Sequence, residues 1–305
     1  MRTLKGQNLR IYTEVENQTD TWKVVSMATN CTITLTGNTE EATTKDDVGM
    51  ANKPTIVSKG WSIQVDSLNV VDAAAMLTAI KEFKPFYLMW AQSDDTDNQT
   101  AVTTTTFERC GNAFINDLNL TFNDRENSAK NVQFIGTGAI NDNPVIGETQ
   151  VLPLGSYTKG QSVRLFLSSD NVATPNAVIA AAKQLTLHVS VQFENSTTKD
   201  TTGDWVINEP VGISYDITSN ALVKSDETIS STVGGKKIED MENIWASGPV
   251  KFKISNVNGA NNRTVVSDIV SGSVVVTSLV VNAPNRQTAT YTTTLQGYGI
   301  YEVAA

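Results

Sequence analysis

The chain says nearly the same thing twice. Lys5-Gly6-Gln7-Asn8-Leu9-Arg10 returns as Lys159-Gly160-Gln161-Ser162-Val163-Arg164, 154 positions later. The same offset carries Thr44-Lys45-Asp46 onto Thr198-Lys199-Asp200 and Gly49 onto Gly203. The register reads as slipping to 152 where Gly60-Trp61-Ser62-Ile63 meets Gly212-Ile213-Ser214-Tyr215. It then holds at 161 from Gly111/Gly272 through Leu118/Leu279, Gly136/Gly297 and Gly138/Gly299. Constant offsets separated by insertions are what two copies of one fold leave behind, and the period is too long for a solenoid or propeller blade. The expectation is two domains, 1–147 and 148–305, with a linker over Asn141–Ser156. A length of 305 residues suits two.

Alternation supplies the strands. Leu185, Leu187, Val189, Val191 and Phe193 share one face, with Thr186, His188, Ser190 and Gln192 on the other. Ile33 and Leu35 match them in the first copy. Trp61, Ile63 and Val65 alternate with Ser62, Gln64 and Asp66; Ile213, Tyr215 and Ile217 alternate with Ser214, Asp216 and Thr218. Asn112–Phe122 with Ala129–Gly136, and Ser273–Ala283 with Thr290–Gly297, read as closing hairpins. One helix per copy breaks the β pattern: Val71–Lys84, capped by Asp72, and Ile238–Ser247 with Trp245 on its apolar stripe. Lys224–Lys237 reads as an insertion. The fold class is mainly β, two tandem antiparallel β-sandwich or barrel domains with one α-helix each. A long polar loop separates the first two alternating strands of each copy, Gly37–Lys59 and Glu194–Val211. That is far longer than the ~2–5 residues a hairpin needs, and loops of this length usually carry function.

Chemistry is sparse. His188 is the only histidine, faces Thr34 in the duplicate and reads as solvated. Asp46-Asp47 and Asp94-Asp95 lack the spacing of a calcium loop. No phosphate cradle or nucleophile elbow appears, and no catalytic, cofactor or metal site is expected. Cys31 and Cys110 read as two thiols, with a disulfide between them as the alternative. Met1–Thr13 has no apolar core and is not read as a signal peptide. A net charge of −9 argues against phosphate binding as the main task.

The order of strand, polar loop, strand ending in Ser-x-x-x-Asp, helix and hairpin resembles the major tail tube proteins of tailed bacteriophages. The matching residues are Cys31-Thr32-Ile33-Thr34-Leu35-Thr36, Thr43-Thr44-Lys45-Asp46-Asp47 and Lys59-Gly60-Trp61-Ser62-Ile63-Gln64-Val65-Asp66. The resemblance implies a structural virion protein without enzymatic activity or cofactor, assembled in the host cytoplasm. Its domains would form six-membered rings that stack through the long loops, with Lys45, Asp46, Asp47, Lys199 and Asp200 as inter-ring contacts. The implied partners are other copies of the chain, a tape-measure protein, tail completion proteins and, in contractile tails, a sheath. DNA would pass through without specific binding and no membrane would be involved. Gln64, Asp66, Asp216 and Thr218 are the channel-wall candidates. The rival reading is an extracellular adhesion protein of two β-sandwich modules.

Overall fold

The computed structural model describes residues 9–14, 21–25, 28–43, 52–68, 73–92, 108–141, 148–150, 158–168, 175, 177–179, 182–201, 203–223, 238–258 and 264–304. Its elements are mainly antiparallel β. The first half of the chain holds β1 (Leu9–Glu14), β2 (Thr21–Val24), β3 (Ala28–Glu41), β4 (Pro54–Ser67), α1 (Ala73–Lys81), β5 (Phe86–Gln92), β6 (Glu108–Asn123), β7 (Ala129–Asn141) and β8 (Glu148–Gln150). The second holds β9 (Val163–Leu167), β10 (Ala177–Val178), β11 (Ala182–Asn195), β12 (Asn208–Leu222), α2 (Ile238–Ser247), β13 (Val250–Asn258), β14 (Thr264–Asn282), β15 (Thr290–Gly297) and β16 (Glu302–Val303).

Hydrogen bonding links the strands in the order β2-β1-β5-β6-β7-β4-β3 in the first half and β10-β9-β13-β14-β15-β12-β11 in the second. The two sequences of pairings match strand for strand. Registers match as well: Leu118 faces Val132 and Leu279 faces Thr293, while a bulge falls between Ile115 and Asp117 and again between Val276 and Ser278. Arg125 (φ 61°) and Arg286 (φ 60°) take the left-handed conformation in the corresponding hairpin turns. Beyond this pattern, β8 adds a parallel strand to β2 within the stretch expected to be a linker.

Each half builds its core around one aromatic ring over two glycines. Trp61 is buried and donates its indole N–H to the Gly138 carbonyl at 3.2 Å. Tyr215 is buried and donates its hydroxyl to the Ser273 carbonyl at 2.7 Å. A Cβ on Gly111 would lie 2.7 Å from the Trp61 ring, and one on Gly136 would overlap it; a Cβ on Gly297 would lie 2.5 Å from the Tyr215 ring. The ring that replaces Trp61 is therefore Tyr215, not Ile213. Leu35 faces Trp61 as Val189 faces Tyr215, and Ile33 faces Ile63 as Leu187 faces Ile217. The offset of 154 continues without the slip to 152. A slip of two residues keeps every side chain on its own face, so alternation alone could not detect it.

Other expectations need correction at their edges. The loop expected over Gly37–Lys59 is mostly paired backbone, because β3 and β4 stay paired, past a bulge after Asn38, as far as Glu41 and Pro54. In the second half, β11 and β12 continue to Asn195 and Asn208. Trp245 does not pack inward: it is 62% exposed, while Met241 and Ile244 of α2 are buried. In α1, Met76, Leu77 and Ile80 are buried in the same apolar cluster as Trp61, Ile63 and Val65. Asp72 and Lys224–Lys237 lie outside the described residues. One apolar cluster spans both halves.

If the glycines exist to seat the rings, Gly136→Ala and Gly297→Ala should each destabilise the fold by about 1–3 kcal/mol, the usual cost of overpacking. Urea unfolding should show a lower midpoint at unchanged slope; an unchanged midpoint would contradict this packing account.

Candidate assembly interface

The two halves meet edge to edge. β6 pairs with β7 along most of its length, with β5 through its first part, and with β11 of the second half through Asp117–Asn123. On the core side, Leu118, Leu120 and Phe122 of β6 face Val189, Leu187 and Leu185 of β11. All six are at most 4% exposed. Both ends of this seam are fastened. At one end the Asp124 amide donates to the Lys183 carbonyl, Ser128 to Thr158, and Gly160 to Glu126, at 2.8–2.9 Å. Gly160 lies so close to the Asn123 backbone that a Cβ would not fit. This packing explains why Lys159-Gly160-Gln161 carries glycine; its counterpart Lys5-Gly6-Gln7 lies outside the described residues.

At the other end the returning limb of the β11–β12 connection docks on the first half. Lys59 donates to the Asp204 carbonyl at 2.6 Å, Val206 to Lys59 at 2.9 Å and Gly138 to Val206 at 2.9 Å. The Lys59 ammonium is 3.3 Å from the Asp204 carboxylate. The Asn208 amide group donates to the Gly136 carbonyl at 2.8 Å. Lys199 and Asp200 are left exposed in the turn at the outer end of this connection. Lys45, Asp46 and Asp47 lie outside the described residues.

Across β4, β7, β6, β11, β12 and β15 the face opposite the core is a set of polar rows. Directly opposed residues point to the same side. Asp66, Asn131, Asn119, His188, Asp216 and Gln296 form one row across β4, β7, β6, β11, β12 and β15. Gln64, Gln133, Asp117, Ser190 and Ser214 form the next. Thr218 stands in a third, beside Thr186 and Thr121. All four channel-wall candidates therefore lie on one face, and it is the face turned away from α1. Asp66 is engaged there by the side-chain amides of Asn30 and Asn131.

His188 is not the solvated side chain that its sequence context suggests. Its Nδ1 is 2.8 Å from Asp216 Oδ1 and its Nε2 is 2.7 Å from Asp117 Oδ2. Asp117 comes from β6 and Asp216 from β12, so the imidazole ties the two halves together across the seam. Burial pulls its pKa down, but hydrogen bonds to Asp117 and Asp216, and their charges, outweigh it and leave it above the ordinary value. Both ring nitrogens face carboxylates, so the doubly protonated ring satisfies both contacts. The lone histidine was visible in sequence; its partners, 71 and 28 residues away, were not.

No group of His, Cys, Asp or Glu side chains among the described residues is arranged to hold a metal ion. Nor is any helix there long and apolar enough to cross a membrane. Neither Cys31 nor Cys110 is in a disulfide. Burial pushes the Cys31 thiol up to about 11, helped by the charge of Asp66.

No protein-family model matches the sequence, and no curated protein does. Solved structures do. The tail of an empty gene transfer agent (GTA) particle, computed with helical refinement in C6 symmetry, is similar at 15% identity and a TM-score of 0.38, covering 48% of this chain and 99% of that one. The virion of a native GTA particle is similar at 16% identity and a TM-score of 0.34, with the same coverage. The SPP1 tail tube, from solid-state NMR and cryo-EM, is similar at 15% identity and a TM-score of 0.35, covering 47% of this chain and 78% of that one.

The histidine clamp has a defined pH signature. A group whose folded pKa is raised contributes stability that is complete below its unfolded value, about 6.5 for histidine, and that fades as pH rises through the folded value. The Tm advantage of the native chain over His188→Gln should be largest at about pH 5–6.5, where the carboxylates are still ionised, and should shrink above the folded pKa. A difference constant from pH 5 to 9 would contradict the clamp.

Proposed function

We propose that the chain is a duplicated tail tube protein, a structural virion component whose rings stack into a tube that conducts DNA. One observation carries the reading: the chain is already two like-ordered sheets joined edge to edge by β6 and β11, with an apolar cluster continuous across the join. A pair of independent adhesion modules would keep separate cores and need no such seam. The domains are 1–147 and 148–305, with Glu148–Gln150 at the start of the second pairing back onto β2 of the first. If six domains close a ring, chains of two domains close it with three, giving exact threefold and approximate sixfold symmetry. Closed cyclic contact also removes the exposed strand edges that otherwise invite aggregation.

The polar rows holding Gln64, Asp66, Asp216 and Thr218 form the channel wall in this reading. Their named charges are Asp66, Asp117 and Asp216, offset by one imidazole. Duplex DNA carries a negative charge every ~1.7 Å of axis, and rings of lysine would hold it. Carboxylates keep it moving, acting over a screening length of ~10 Å at 0.1 M salt. Lys45, Asp46 and Asp47 in one connection, and Lys199 and Asp200 in the other, contact the next ring. The tape-measure and completion proteins, and a sheath in a contractile tail, are the further partners.

Negative-stain microscopy of the purified chain should show rings or tubes, with class averages of threefold symmetry and six lobes. Deleting 42–52 should leave rings and stop elongation. Monodisperse monomers, or rings of six chains, would overturn the proposal.

A further inference from the structure

The edge that β11 covers in the first half has a counterpart in the second, and the structure leaves it open. Among the described residues, β14 beyond Val274 is paired with β15 alone, and β3, the counterpart of β11, with β4 alone. Both open edges expose the apolar side chains that the internal seam buries. Leu35 is 65% exposed where Val189 is 1%, and Val281 is 49% exposed where Leu120 is 1%.

We propose that β3 of one copy pairs antiparallel with the second half of β14 of another, in the register of the internal seam. This rests on the ring reading above and gives the ring its contact. The internal seam sets Val189 opposite Leu118, His188 opposite Asn119 and Leu187 opposite Leu120. Offsets of 154 for β3 and 161 for β14, both held through the hairpin registers and bulges, place Leu35 opposite Leu279, Thr34 opposite Val280 and Ile33 opposite Val281. Leucine, isoleucine and valine then meet on the core side, as they do inside the chain. The pairing satisfies the open backbone donors and acceptors of both strands, which no side-chain contact could do. The occupant is a second copy of this chain because only another β3 reproduces the strand that the same edge holds internally. The two seams differ in one respect. Where the internal one has Asp117, His188 and Asp216, the one between copies has Ser278, Thr34 and Ser62, so it lacks the ionic clamp.

Paired cysteines read the register. Directly opposed strand residues fall within the Cα range a disulfide requires, ~4.4–6.8 Å, whereas diagonal positions lie at ~7–8 Å. Under mild oxidation the full-length Thr34→Cys/Val280→Cys chain should give covalent dimers and closed trimers on a non-reducing gel. Thr34→Cys/Ser278→Cys and Thr34→Cys/Asn282→Cys should stay monomeric. Rings seen by microscopy with cross-links only in a slipped pair, or in none, would overturn the register and leave the ring standing. Monomers with no cross-link in any variant would sink both. Leu35→Glu serves as an independent check, since its site is exposed in the isolated chain. It should leave the monomer's Tm unchanged and abolish assembly, and normal assembly of that variant would overturn the proposal.

Discussion

Everything in this molecule follows from where the strand edges go. A backbone N–H or C=O withdrawn from water must be paired, and a sheet of finite width always leaves two edges over. Here one edge of the second half is spent on the first, through β6 and β11, and the halves become a single sheet with a shared core. Of the edges that remain, those of β3 and of the second half of β14 are the counterparts of the two that have met.

The packing that allows this is local and repeated. An aromatic ring over paired glycines lets the β4–β7 and β12–β15 ladders pass close to a bulky side chain without splaying. The helices cover one face, and across β4, β7, β6, β11, β12 and β15 the opposite face carries polar rows that can line a water-filled space. The clamp of His188 between Asp117 and Asp216 is an addition to one seam, placed where the two halves must stay together in every state of the protein. A threonine, Thr34, stands in the corresponding place, so the proposed seam between copies has no such clamp.

Much of this was legible in the sequence. Period-two alternation marked the strand pairs, the three-and-four spacing in Val71–Lys84 and Ile238–Ser247 marked the helices, and the shared offsets run between two halves of the same strand order. Three things were not legible, each for a physical reason. The slip between Trp61 and Ile213 looked correct because displacement by two residues preserves the face of every side chain. The hairpin arms looked like loops because their residues are polar, and strands that project beyond the core bury too little apolar surface to show a hydrophobic pattern. The role of His188 depended on acids far away in sequence, and no local motif announces a contact of that kind. Asp117 in particular stands in no recognisable pattern; only the register of β6 against β11 brings it to the imidazole.

The central claim is that the open edges of β3 and β14 are closed by other copies of the chain. Hydrogen exchange measured on assembled and unassembled protein tests it without any substitution. Amides within Asn30–Thr36 and Ser278–Asn282 should gain protection on assembly, while those of Asp117–Asn123, already paired within the chain, should change little. Equal exchange at β3 and β14 in the two states would mean that assembly, if it occurs, uses some other surface.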